Sequence, residues 1–78
     1  MYYTYVLKSE ADGKLYIGWT DDLRFRLSKH NKGQVPATAS RMPLKLVYYE
    51  ACINKKLAIA REKYFKTGYG RNFLKSRI

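Results

Sequence analysis

The dipeptide Asp12-Gly13 constrains this chain more than any other feature, because it stands between two short runs rich in apolar and aromatic residues. Asp-Gly readily adopts the positive φ that a tight hairpin turn demands. Residues 2–8, with Tyr3-Thr4-Tyr5-Val6-Leu7 at their centre, therefore read as a strand. Residues 14–19 read as its antiparallel partner, across the charged turn Glu10-Ala11-Asp12-Gly13-Lys14. Both faces of the first strand carry bulk, which makes it central rather than an edge. Ten residues separate Tyr5 from Tyr16, so the two phenols are expected side by side on neighbouring strands. Gly18 falls at the second strand's end, where a missing side chain suits either close approach of another group or plain strand termination.

Trp19-Thr20-Asp21-Asp22 reads as a helix start, with Thr20 as N-cap and the two aspartates in the first turn. The helix is predicted to end at Asn31 or Lys32, with Gly33 at the C-terminal cap position. Leu23 and Leu27 mark its core stripe. Arg26 and His30 flank that stripe one turn apart, beside the tyrosine-bearing hairpin, while Arg24, Ser28 and Lys29 point elsewhere. Taken singly, an arginine at a core boundary snorkels, and a lone histidine is more often structural than a ligand.

Residues 33–43 hold both prolines and read as a loop, with Thr38, Ser40 and Arg41 available to a phosphate backbone. Leu44 to Ala51 forms a third strand. Asn54 caps a second helix over roughly 55–66, with Leu57, Ala60, Arg61, Tyr64 and Phe65 on its inward face. Glu62 lies just outside that face, between Lys63 and Lys66. The chain should break at Gly68 and Gly70 and resume as a short helix that carries Phe73 and Leu74 into the core. The expected architecture is α+β: a three-stranded antiparallel sheet flanked by helices, in the order β-β-α-β-α-α, as a single small domain over residues 1–78.

Charge narrows the function. Sixteen Lys and Arg face six Asp and Glu, a net +10. The segment from Lys55 to Ile78 alone holds eight basic residues and one acid, a net +7. Such a field favours a polyanion, above all nucleic acid. No stretch is long and apolar enough to span a membrane, and no basic helix has a broad exposed apolar face. The amino terminus enters a strand without the pattern of a signal peptide. The single cysteine, Cys52, cannot form an internal disulfide and reads as a small buried hydrophobe, which suits a reducing, cytoplasmic setting. No obligate protein partner is evident.

Two tyrosines, an arginine and a histidine near a lone acid in a basic field suit phosphodiester hydrolysis. That reaction needs a proton acceptor for water, positive charge at phosphorus and a stabilised leaving oxygen. Arginine offers a fixed charge and a two-pronged donor to phosphate. Glu62 is the acid best placed to hold one Mg²⁺, an oxygen-seeking cation. The other acids are explicable as turn, helix-start or strand residues, with Glu50 the weakest exclusion.

At these residues the sequence resembles the GIY-YIG endonuclease superfamily, in particular small stand-alone members similar to the nuclease domain of the bacterial excision-repair incision subunit. Tyr16-Ile17-Gly18 matches the second half of the family name, and Tyr5 ends the first half at Tyr3-Thr4-Tyr5. Leu23-x-x-Arg26-Leu27-x-x-His30-Asn31 matches the family's first helix, and Ala60-Arg61-Glu62-Lys63 matches its metal-binding segment. The resemblance implies an Mg²⁺-dependent endonuclease acting on DNA with low sequence specificity, in repair or recombination. It places Tyr5, Tyr16, Arg26, His30 and Glu62 in the catalytic site, with Glu62 on the metal. Arg24, Lys29, Arg41, Lys63, Lys66, Arg71 and Asn72 are the expected nucleic-acid contacts, Asn72 aligning only loosely with a family asparagine. One departure stands out: some members carry a lysine after the YIG motif, where this chain has Trp19. A protonated His30 is the expected substitute cation. A basic nucleic-acid-binding module with little or no cleavage is the alternative reading.

Overall fold

The Asp12-Gly13 turn forms, with Gly13 at φ +71°. Its ends are closed by the Ser9 amide on the Lys14 carbonyl and the Gly13 amide on the Ser9 carbonyl, at 3.0 and 2.9 Å. The structure is a computed structural model that describes residues 1–78. The turn joins β1 (Tyr2–Ser9) to β2 (Leu15–Thr20). After α1 (Leu23–Asn31) and a loop with one 3-10 turn, β3 (Leu44–Cys52) pairs with the other side of β1. The sheet is antiparallel in the order β2-β1-β3, so β1 is central as its two bulky faces require. Two helices follow, α2 (Lys55–Phe65) and α3 (Gly68–Lys75).

Strand alternation divides the core between the two sheet faces. Tyr5, Leu7 and Leu44 pack on one, together with Tyr16, Leu46 and the α1 leucines Leu23 and Leu27. Val6, Ile17, Phe65 and Leu74 pack on the other, under α2 and α3. α2 is fastened to the sheet where the Thr4 hydroxyl donates to the Ala58 carbonyl at 2.8 Å.

Several expectations need correction. The N-cap of α1 is Asp22, whose carboxylate accepts from the Phe25 amide at 3.1 Å. Thr20 is still paired in the ladder opposite Tyr3, and its hydroxyl accepts from the Asp22 amide, so the helix starts later. The inward stripe of α2 is Ala58, Arg61, Glu62 and Phe65, the spacing of one helix face. Leu57 is 60% exposed, and Glu62 therefore lies within the stripe rather than beside it. α3 starts at Gly68 and includes both glycines. At Gly70 the helix crosses α2 so closely that a Cβ would land on the Tyr64 carbonyl oxygen and 2.6 Å from Phe65 Cα. Thr67 caps α3 with its hydroxyl on the Gly70 amide at 3.1 Å. Cys52 is half-buried at the end of β3 rather than in the core.

Candidate active site

β1, β2 and α1 build the site together. Tyr5 stands opposite Gly18 in the ladder. Its ring lies across the space a side chain at 18 would fill, since a Cβ there would sit 2.6 Å from the Tyr5 hydroxyl. Of the two roles open to Gly18, close approach holds, and the approaching group is a phenol. Tyr16, two residues earlier on the same face of β2, has its ring centroid 6.4 Å from that of Tyr5 and 5.1 Å from that of His30.

From α1, His30 and Arg26 reach the same phenols. His30 is fully buried, with Nε2 2.9 Å from the Tyr5 hydroxyl and Nδ1 2.7 Å from Thr38 Oγ1. Thr38 Oγ1 also lies 3.5 Å from the Val35 carbonyl oxygen. With the threonine proton directed to that carbonyl, Thr38 Oγ1 is free to accept from Nδ1–H, the tautomer in which Nδ1 carries the ring proton. Nε2 then accepts from Tyr5, and the Tyr5 oxygen accepts from Arg26 Nε–H at 3.5 Å. In the other tautomer the Tyr5 oxygen would receive two N–H groups and its own proton would find no acceptor. Thr38, read from sequence as a phosphate contact in a loop, is instead a fully buried anchor for the histidine. No local pattern marks it, because its partner lies on another element.

These contacts fix the charges. Burial, then the nearby Arg26 cation, lower His30 to about 4. His30 is thus neutral at physiological pH and is not the substitute cation expected for Trp19. Burial raises the Tyr5 pKa, against the Arg26 hydrogen bond, and Tyr16 and Glu62 add to the rise through their charge. Tyr5 is a neutral, enclosed phenol. Arg26 is stabilised as a cation by the Tyr5 hydrogen bond first, and also by Tyr16, so it supplies positive charge to both phenols. Trp19 itself is covered by Lys55, whose Nζ lies 5.3 Å from the ring centroid.

Because unfolded histidine binds a proton near pH 6.5 and native His30 only near 4, stability should be full above pH 6.5 and fall as pH drops toward 4. Urea titrations at pH 7 and pH 5 should differ by about 2 kcal/mol. His30→Gln should abolish most of that difference, and an unchanged difference would mean another group carries it.

Glu62 is half-buried and forms one hydrogen bond, accepting from Lys66 Nζ at 3.4 Å, the ion pair expected of neighbours four apart on a helix. Glu50 is excluded as a free acid, since Arg61 grips it with two bonds at 2.8 and 3.0 Å. Burial alone would raise the Glu50 carboxyl, but Arg61 and the Tyr48 hydroxyl outweigh it and hold its pKa low. No group of three His, Cys, Asp or Glu side chains converges anywhere in the molecule. A single carboxylate with a long, weak ammonium contact still fits a hydrated Mg²⁺, which completes its shell with waters and substrate oxygens.

The expected nucleic-acid contacts separate. Arg24, Lys63, Lys66, Arg71 and Asn72 are exposed. Lys29 is half-buried with Nζ over the Phe25 ring at 5.5 Å. Arg41 serves the fold: its Nε donates to Asp12 at 3.0 Å, and its carbonyl accepts from the Ser9 hydroxyl. It closes the 33–43 loop onto the hairpin turn and is removed from the phosphate contacts. Arg71 lines a groove with Lys14, Leu15 and Ile17 along β2, whereas Asn72 faces Thr67, Tyr69 and Lys75.

A strongly basic α+β domain that gathers two phenols, a guanidinium and an imidazole on one sheet face has the residue set that the sequence resemblance assigns to a small nuclease. The chain belongs to the GIY-YIG family: the model of the GIY-YIG catalytic domain matches residues 1–75. It is 46% identical over 67 residues to a UPF0213 protein of Bacillus pumilus, covering 85% of this chain and 67% of that protein. A UPF0213 protein of Clostridium perfringens is likewise 46% identical over 67 residues, covering 85% of this chain and 71% of that one. The solution structure of a UPF0213 protein from Bacillus halodurans superposes with a TM-score of 0.60 at 32% identity, over 97% of this chain and 84% of the other. The family's domain is a nuclease domain, and its substrate is nucleic acid. No helix is long and apolar enough to cross a membrane.

Proposed function

We propose that this protein is an Mg²⁺-dependent endonuclease that hydrolyses phosphodiester bonds in DNA with low sequence specificity, in repair or recombination. The observation that carries the reading is the chain of contacts His30–Tyr5–Arg26 beside Tyr16, which aims a fixed cation at two phenols. Tyr5 and His30 are only 1% and 0% exposed, so they position rather than touch substrate. Tyr16 is half-buried, and its oxygen takes the proton of the attacking water as the phenolate, or steers that water as the phenol. As the water oxygen bonds to phosphorus and the ester oxygen departs, Arg26 balances the charge that grows on the phosphate. Glu62 would hold the metal, which when bound supplies positive charge to the leaving oxygen. A domain of 78 residues offers little surface for reading bases, so phosphate contacts dominate. The lone thiol of Cys52 fits a reducing compartment such as the cytoplasm.

A second reading, a basic binding module that does not cleave, is favoured by Trp19 in place of lysine and by the Glu62–Lys66 ion pair. Incubation with supercoiled plasmid and Mg²⁺, against an EDTA control, decides between them. The expected result is metal-dependent nicking by the native protein and a loss of about 10²–10³ in rate for Glu62→Gln. Intact plasmid under all conditions would establish the binding module. Normal nicking by Glu62→Gln would remove Glu62 from the metal.

A further inference from the structure

We infer that Tyr69 is a stacking platform for an unpaired base, and that the α2–α3 face around it binds the single-stranded part of the substrate. The inference takes its ligand class from the nuclease reading. Tyr69 is 83% exposed and makes no ring contact or side-chain hydrogen bond within the fold. By contrast, Tyr3, Tyr5, Tyr16, Tyr48 and Tyr64 all meet another aromatic ring.

A single exposed aromatic needs no explanation in itself. Two further observations set Tyr69 apart. Its backbone is pinned on both sides: Gly70 is pressed against the backbone of Tyr64 and Phe65, and the Thr67 hydroxyl donates to the Tyr64 carbonyl at 2.6 Å while accepting from the Gly70 amide. A ring on a fixed base loses little freedom on binding. It also stands in the chain's most positive region. Lys63, Arg71 and Lys75 are exposed on the two helices and Lys66 at the C-terminal cap of α2; Lys75 lines the same groove as Tyr69, and the one acid there, Glu62, is already paired with Lys66.

The ring lines a groove with Thr67, Gly68, Asn72 and Lys75. The Asn72 side chain makes no hydrogen bond in the fold, and its amide offers both a donor and an acceptor to a base edge. Lys75 offers its ammonium to the adjoining phosphate. Stacking on an aromatic face tolerates every base, which suits an enzyme that recognises unpaired structure rather than sequence.

The test measures binding in EDTA, so it needs no cleavage. A duplex bearing a single-stranded overhang with 2-aminopurine is compared with the blunt duplex. Native protein should quench the 2-aminopurine fluorescence. Tyr69→Ala should lose the quench and weaken overhang binding about 5- to 150-fold, with blunt-duplex binding held within about twofold. Tyr69→Phe should behave as native. Equal effects on both duplexes, or no effect on either, would overturn the inference, as would a Tyr69-dependent affinity for anionic vesicles exceeding that for the overhang. Plasmid nicking by the same preparations keeps the two readings apart. Quenching without nicking sinks the nuclease alone, and nicking without Tyr69-dependent quenching sinks the platform alone.

Discussion

Arg26→Ala should lower single-turnover cleavage by about 10²–10³ while leaving the melting temperature within a few degrees of native. The two effects separate because of how Arg26 is held. Its side chain is half-buried beside Leu23 and Leu27, and its one side-chain bond, to the Tyr5 hydroxyl, is long at 3.5 Å. Removing it costs the fold little, since His30 keeps Tyr5 in place at 2.9 Å. Removing it costs the reaction much, because no other cation is hydrogen-bonded to either phenol and His30 is neutral. Arg26→Lys should fall between, keeping the charge but not the planar fork. A collapse in melting temperature with Arg26→Ala would mean that the arginine packs rather than catalyses.

Gly70→Ala should be the most damaging small substitution for stability, at about 3 kcal/mol or more. On an open helix surface the same change would gain up to about 1 kcal/mol, because alanine is the better helix former. Here the new methyl meets backbone, the Tyr64 carbonyl and Phe65 Cα, and backbone cannot swing aside as a side chain can. Gly68, two residues earlier, is the control. A Cβ there meets nothing within 4 Å, so Gly68→Ala should be neutral or stabilising. Urea unfolding of both variants measures the contrast. Equal midpoints would show that α3 can lift from α2 at little cost.

Features set by neighbours in sequence were legible without a structure. The Asp12-Gly13 turn, the three strands, the Asn54 cap and the end of α1 at Asn31, just before the positive φ of Gly33, all rest on residues within a few positions of each other. So does the pairing of Arg26 with His30, one turn apart on a helix. What was hidden depends on contacts across the fold. Arg41 looked free because its partner Asp12 lies 29 residues away. Thr38 looked like loop surface because only the closed loop brings it to His30. Helix rotation was legible for α1 and harder for α2. α1 turns Leu23, Arg26, Leu27 and His30 inward, and α2 turns Ala58, Arg61, Glu62 and Phe65 inward, so each inward stripe mixes apolar with polar residues. The apolar pattern that fixes a helix's rotation is blurred wherever the stripe also carries the site, and α2 was misjudged by about one position for that reason.

The Tyr5 ring in the gap left by Gly18 has a consequence for descent. A methyl at 18 would drive the phenol off His30 and Arg26, and a smaller residue at 5 would leave a hole and lose the hydroxyl. A change at either position disturbs the contact made by the other, so a single substitution is expected to cost function. Thirteen residues apart in the chain, the two form one packing unit and are expected to be exchanged together or kept together.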